Sequence, residues 1–128
     1  MKSYKSIDIS NMIQAIYDFP DHIQAAVKIG DNISFNHAYN GIQNIVLAGM
    51  GGSAIGGDVV RLLAKNELNV PMLVSRNYTL PNWVNKKTLV ICSSYSGNTE
   101  ESIAAFDQAQ DRGAQIIGIT TGGSLMER

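Results

Sequence analysis

The chain has 128 residues, one domain's worth, long enough to bury a real core. Hydrophobic residues make up 45% and charged residues 16%, a globular balance that argues against intrinsic disorder. The net charge is −1 and there is no basic run of about five residues or more, so neither nucleic acid nor an anionic membrane is an expected partner. A single cysteine, Cys92, excludes an intrachain disulfide and a multi-cysteine metal site. No apolar run approaches the ~18 residues that span a bilayer. The opening MKSYKSIDIS lacks the apolar stretch of a signal peptide. The expectation is a soluble, cytoplasmic protein. Twelve glycines stand out because many of them cluster.

Residues Asp8 to Gly30 read as two helical pieces. Ile9, Met12, Ile13 and Ile16 recur at the spacing of one helix face. Pro20 sits where a second helix can begin, because its missing N–H is unpaired there anyway. Ile23, Ala26 and Val27 continue the apolar face, and Gly30 is the expected stop. Residues 31–44 are mixed and turn-rich and read as loop.

From Asn44 the pattern changes. Ile45 to Ala48, Met72 to Val74, Leu89 to Cys92 and Ile116 to Ile119 form four short apolar runs. Runs without polar alternation suit strands covered on both faces. Between the first two lies a helical stretch with Ile55, Val59, Leu62 and Leu63 on one side. Between the last two lies another, with Ile103, Phe106 and Ala109 inward and Gly113 as its stop. Alternating strands and helices predict an α/β fold with a doubly wound parallel sheet of at least four strands, preceded by N-terminal helices. The link from Ser75 to Lys87 carries Pro81 and Trp83 and has room for at most one helical turn. Ser124 to Arg128 read as a helix just beginning, and an open α/β sheet usually continues past such a point. The chain is therefore expected to be the first part of something longer.

Two glycine–serine loops carry the chemistry. Gly49 to Asp58 (GMGGSAIGGD) follows the first strand and opens a helix. Glycines let the backbone turn sharply and approach a ligand closely. The first N–H groups of a helix lack an intrahelical acceptor, and with the helix dipole they favour an anion. Ser53 adds a hydroxyl donor. The alternative is a tight turn with glycines for packing alone, which needs neither so many glycines nor a serine. The second loop, Ser93 to Glu101 (SSYSGNTEE), follows the third strand. The hydroxyls of Ser94, Ser96 and Thr99 can converge with backbone N–H groups around a phosphate. Hydrogen bonds to a charged group are worth roughly 1.5–3 kcal/mol each. Helix capping by Asn98, with Glu101 three residues on, explains those two residues but not the serines. In a sheet of order 2-1-3-4-5 both loops face one switch-point crevice, where such folds bind ligands.

Three phosphate ligands compete. A P-loop is poor, because Gly57-Asp58 stands where Lys-Ser/Thr is needed. Gly49, Gly51 and Ala54 match the dinucleotide pattern G-x-G-x-x-A, but Ser75-Arg76 replaces the ribose-binding carboxylate, which would require an NADP-type 2′-phosphate. A flavin mononucleotide loop resembles Ser94 to Thr99 but belongs after the first strand. Glu100 and Glu101 lie where a helix start favours acids. His22 and His37 read as surface or loop histidines, Cys92 as a buried small hydrophobe, and Trp83 as loop packing.

Gly49 to Asp58 together with Ser93 to Ser102 resembles the sugar isomerase (SIS) domain, and more narrowly the bifunctional phosphoglucose/phosphomannose isomerase family. Ser75 to Val84 and Thr120 to Arg128 sit where that family has similar segments. The resemblance covers most of the chain from about Ile42 onward. It implies a flavodoxin-like SIS domain at residues 41–128, cut short at its C-terminal side, after a helical segment at 1–40. It implies that Ser53, Ser94, Ser96 and Thr99 bind the phosphate of a sugar phosphate, with Gly51 and Gly52 giving close backbone approach. It implies aldose–ketose isomerisation through an enediol, without cofactor or metal, in a full-length homodimer. The catalytic base is expected beyond residue 128. The alternatives are a non-catalytic SIS module that senses a sugar phosphate, and an NADP-binding domain.

Overall fold

The computed structural model describes residues 7–35 and 37–128. Residues 1–6, part of the segment read for a signal peptide, lie outside the described residues. The chain forms two compact units, Met1–Ala38 and Tyr39–Arg128.

The first unit holds α1 (Met12–Tyr17) and α2 (Phe19–Asp31). The Asp8 carboxylate accepts the Met12 and Ile13 N–H groups at 2.7 and 2.9 Å, which occupies two donors that α1 leaves open. Pro20 lies in the first turn of α2, as its chemistry requires. Gly30 is not the stop. The helix runs one residue further, and Asn32 ends it by donating its side-chain amide to the Lys28 carbonyl at 2.6 Å. No residue of either helix is buried.

The second unit runs β1 (Asn44–Gly49), α3 (Gly51–Leu63), a 3-10 turn (Ala64–Asn66), β2 (Met72–Ser75), β3 (Thr88–Ser93), α4 (Glu100–Asp111) and β4 (Gln115–Ile119). All three strand pairings are parallel and the order is β2-β1-β3-β4. This is the expected doubly wound, flavodoxin-like arrangement. Gly113, with φ +66°, follows α4 as its left-handed stop, and the Ala114 N–H returns to the Ala109 carbonyl at 2.9 Å.

The main core lies between the sheet and α4. Val46 and Ala48 of β1, Val90 and Cys92 of β3, and Ala105 and Ala109 of α4 are buried together, with Phe106 and Ile116 against them. The other sheet face is less covered. α3 packs on β1 and β2, whereas α4 packs on β1, β3 and β4. Burial therefore alternates along β3 and weakens along β4, so these strands are not covered evenly on both faces as their apolar runs suggested.

The apolar side of α3 is not the side that packs on the sheet. Ile55, Val59, Leu62 and Leu63 are exposed, and the buried residues are Ala54 and Gly57. A Cβ at Gly57 would stand 2.7 Å from a Leu47 methyl. Small residues let the α3 backbone close onto β1, and that contact turns the larger side chains outward.

No helix covers the crossover from β2 to β3. Leu80 and Val84 enter the core from an irregular loop with one turn, in which the Val84 N–H reaches the Pro81 carbonyl at 3.1 Å. Burying each is worth about 1.5–3 kcal/mol. α4 clamps this loop: Gln108 accepts the Leu80 N–H at 3.1 Å, and Arg112 donates to the Pro81 carbonyl at 2.7 Å. The helix expected from Ser124 does not form. Gly123 to Met126 make a single turn, because Leu125 is drawn into the core and its N–H into a bond with the Gly97 carbonyl at 3.0 Å.

Cys92 is fully buried, and burial pushes its thiol up to about 12. The reactive thiolate is therefore scarce near neutral pH. Native protein at pH 8 is expected to resist iodoacetamide, with alkylation appearing only through the urea unfolding transition. Stoichiometric labelling of the folded chain would contradict this burial.

Candidate functional site

The β1–β3 pairing brings the two glycine–serine loops together. Gly49 and Ser93 are register partners at the carboxyl ends of these strands. A Cβ at Gly49 would stand 2.9 Å from the Ser93 carbonyl oxygen and 3.3 Å from the Ser53 Cβ, so the loops meet closely at a position that admits no side chain. Gly51, Gly52 and Ser53 are the first three residues of α3. Gly51 and Gly52 are exposed and Ser53 is half-buried. The Ser53 N–H turns back to the Met50 carbonyl at 3.1 Å. The N–H groups of Gly51 and Gly52 belong to the turn that has no acceptor within the helix.

The second loop is built on its own hydroxyls. Ser94 is buried, its Oγ lying 2.8 Å from Thr99 Oγ1 and accepting the Gly97 N–H at 3.1 Å. Ser96 is exposed, and its Oγ accepts the Asn98 N–H at 3.2 Å. Ser94 and Thr99 are thus in direct contact, and Ser96 joins them through the loop backbone. Thr99, not Asn98, is the N-cap of α4. Asn98 is used elsewhere: its side-chain oxygen accepts the Ser124 N–H at 3.0 Å and the Ser124 hydroxyl at 3.2 Å. That bond competes with capping, so the expected capping box does not form.

A third loop, residues 120–124, backs the second, and its role escapes a reading of the sequence. The Thr121 hydroxyl donates to the Tyr95 carbonyl at 2.6 Å. Gly97 has φ +67°, and a Cβ there would stand 1.7 Å from the Gly122 carbonyl oxygen. Gly123 has φ +70°, and its Cβ would stand 2.3 Å from the Ser96 carbonyl oxygen. Gly97, Gly122 and Gly123 were the available signal, but nothing in their spacing says that they face one another.

The surrounding charges are mostly spoken for. Arg76 pairs with Asp58, which also lies 3.9 Å from Arg61. Arg76 is therefore engaged by a carboxylate at the place where an NADP-type site would need it free. Glu100 and Glu101 stand in the first turn of α4, where the helix dipole favours acids. The Tyr78 hydroxyl donates to Glu100 at 3.1 Å, and this bond, reinforced by the charges of Glu101 and Glu100, holds the Tyr78 phenol above its usual value. His22 and His37 are exposed. Trp83 lines a groove with Asn44, Pro71 and Met72 at the amino ends of the strands, away from the loops. Another cleft of about 700 Å³, lined by Arg61, Lys65 and Met72 among others, also opens away from them.

A parallel sheet of order 2-1-3-4, with glycine-rich turns after its first and third strands, defines a flavodoxin-like α/β domain with its crevice at the switch point. Residues 39–128 match the SIS domain, and the chain belongs to that family. It is 49% identical over 116 residues to a bifunctional phosphoglucose/phosphomannose isomerase of Caldicellulosiruptor bescii, covering 91% of this chain and 34% of that protein. It is 43% identical over 86 residues to a D-glucosamine-6-phosphate 4-epimerase of Sulfolobus acidocaldarius, covering 66% of this chain and 26% of that protein. In fold it resembles a candidate phosphosugar isomerase from Clostridium difficile 630, with a TM-score of 0.71 and 21% identity, over 84% of this chain and 32% of that one. The chain spans about a third of the length of the first of these relatives. Among the described residues no helix is long and apolar enough to cross a membrane.

Two measurements check this geometry. Gly97→Ala combines a left-handed backbone with a backbone collision and is expected to destabilise by about 3 kcal/mol or more. Gly41→Ala, at φ +68° with nothing within 4 Å, is expected to lose only about 1–2 kcal/mol. Urea midpoints compare the two, and equal losses would refute the Gly97–Gly122 contact. For Tyr78 the raised value means that the bond to Glu100 stabilises the fold below pH 10, the ordinary tyrosine value, and is lost as pH rises through the folded value. Ultraviolet titration, with Tyr78→Phe as the subtraction, is expected to place Tyr78 ionisation lower in Glu100→Gln than in the parent chain.

Proposed function

We propose that the SIS region of this chain binds the phosphate of a hexose 6-phosphate, as the N-terminal part of a bifunctional phosphoglucose/phosphomannose isomerase. The observation that carries the reading is the meeting of two anion-ready loops at Gly49 and Ser93. The relatives support the ligand class. Their names share a phosphosugar across different reactions, isomerisation in one and epimerisation in another. A shared segment with unlike chemistries is better suited to holding the common phosphate than to the reacting carbons.

In this reading residues 1–40 are a helical segment and residues 41–128 the sugar-phosphate domain. The N–H groups of Gly51 and Gly52 and the hydroxyl of Ser53 approach the phosphate from α3. Ser96 and Thr99 approach it from α4. Ser94 acts from inside the loop. It accepts from the Gly97 N–H and lies 2.8 Å from Thr99 Oγ1, a contact in which either hydroxyl can donate, so that one of the two protons is left for a phosphate oxygen. Anchoring the phosphate positions an opened sugar so that a carboxylate base can carry a proton between C1 and C2 through an enediol. Such a base contributes typically 10²–10⁴-fold, and in this reading it comes from outside these 128 residues. No cofactor takes part. The full-length protein is a cytoplasmic homodimer.

The test is an NMR titration with fructose 6-phosphate and glucose 6-phosphate, using free glucose as control. Binding of the phosphates with shifts at Gly51, Gly52, Ser96 and Thr99 is expected. Equal affinity for glucose would overturn the phosphate cradle. Ser96→Ala and Thr99→Ala should each lose roughly 1.5–3 kcal/mol of binding, the worth of a hydrogen bond to a charged group. Isomerase turnover by the chain alone would contradict the external base.

A further inference from the structure

We propose that Asn98 is a positioning residue for the phosphate loop, acting through Ser124 without touching the ligand; this rests on the phosphate-binding reading above. Asn98 lies between Ser96 and Thr99, the two loop hydroxyls best placed to meet a phosphate, and its two polar ends do different work. Its N–H donates to Ser96 Oγ at 3.2 Å, so Ser96 spends a lone pair on the loop and keeps its proton for a ligand. Its side-chain oxygen takes two bonds from Ser124, the backbone N–H and the hydroxyl.

The partner loop makes this bond consequential. Residues 120–124 lie against the phosphate loop at Gly97 and Gly123, where neither backbone leaves room for a Cβ. Further ties run from Thr121 to the Tyr95 carbonyl and from the Leu125 N–H to the Gly97 carbonyl. Leu125 itself is anchored in the core. The later loop is thus a fixed support on which the phosphate loop is shaped. Among the described contacts between the two loops, Asn98 is the phosphate-loop residue that contributes a side chain; the others use its backbone. Asn98 is exposed and its removal empties no core, so its loss should alter the loop before it alters the fold.

The experiment uses the full 128-residue chain with fructose 6-phosphate and inorganic phosphate as probes. Asn98→Ala is expected to weaken both about tenfold, with the Ser96 and Thr99 amide resonances displaced in the ligand-free spectrum and the thermal midpoint nearly unchanged. Asn98→Asp keeps the acceptor for Ser124. At high salt, where its added charge is screened, it should return to within about threefold of the parent. Ser124→Ala removes one of the two donors with little risk to folding and should lose about threefold. Unchanged affinity in Asn98→Ala overturns the proposal, as does an Asp variant at high salt no better than the Ala variant. A parent chain that binds neither probe overturns the phosphate reading instead. The loop coupling is then judged from the ligand-free spectra, where unmoved Ser96 and Thr99 resonances overturn it too.

Discussion

The parallel pairing of β1 with β3 is the constraint on which the rest of this domain depends. It aligns Ala48 with Cys92 and Gly49 with Ser93, so both strands end at the same level. The chain then leaves the two ends on opposite faces, α3 one way and α4 the other. Gly49 makes the junction tight enough for the loops to meet, because a side chain there would strike the Ser93 carbonyl. A one-residue slip would reverse the facing of every β3 side chain, moving Val90 and Cys92 out of the core and separating the loops. Core packing and site geometry are therefore set by one register.

The two faces of the sheet are built on different principles. Under α4, medium-sized side chains interlock: Val46, Val90 and Cys92 meet Ala105, Ala109 and Phe106. Leu80, Val84 and Leu125 complete that layer from loops, so the irregular segments supply part of the core and are ordered by it. Under α3 the contact is close but narrow, made through Gly57 on Leu47, with Ala54 the other buried residue of the helix. The narrow contact places the start of α3 beside Ser93, and it leaves the larger apolar residues of α3 exposed.

The strands were legible because each is a short apolar run beside a turn signal, and their order followed from general rules for α/β connections. The helices were legible as elements but not in their facing. Periodicity marks Ile55, Val59 and Leu62 as one face; it cannot say that a glycine on another face will make the closer approach. Gly30 and Asn98 failed for a related reason. Each has a local role in the sequence, stop or cap, that a competing side-chain bond displaced: Asn32 to Lys28 in one case, Asn98 to Ser124 in the other. The Asn98 contact spans 26 residues, and no local pattern carries it. The candidate site residues could be picked out because they cluster after strand ends; the loop that backs them lies apart in sequence.

Within the three loops themselves, residues 49–58, 93–102 and 120–124, there is no lysine or arginine. Arg76, which an NADP-type 2′-phosphate would need, is paired with Asp58, and Glu100 and Glu101 bring negative charge to the start of α4. A phosphate here would be met by N–H dipoles and hydroxyls at two helix starts, each helix contributing the equivalent of about half a positive charge. Such donors work only when they are aimed, since a dipole loses its advantage faster than a charge when it is turned. Several local contacts fix the orientation of these groups: the Ser94–Thr99 contact, the glycine-to-glycine approach at 97 and 122–123, and the anchoring of Leu125. The bond from Tyr78 to Glu100 fits the same logic, because it holds one of the two carboxylates in a fixed orientation. In the proposed reading, what these loops offer a phosphate is the aim of their N–H groups and hydroxyls, and that aim is set by the β1–β3 register and by the loop behind them.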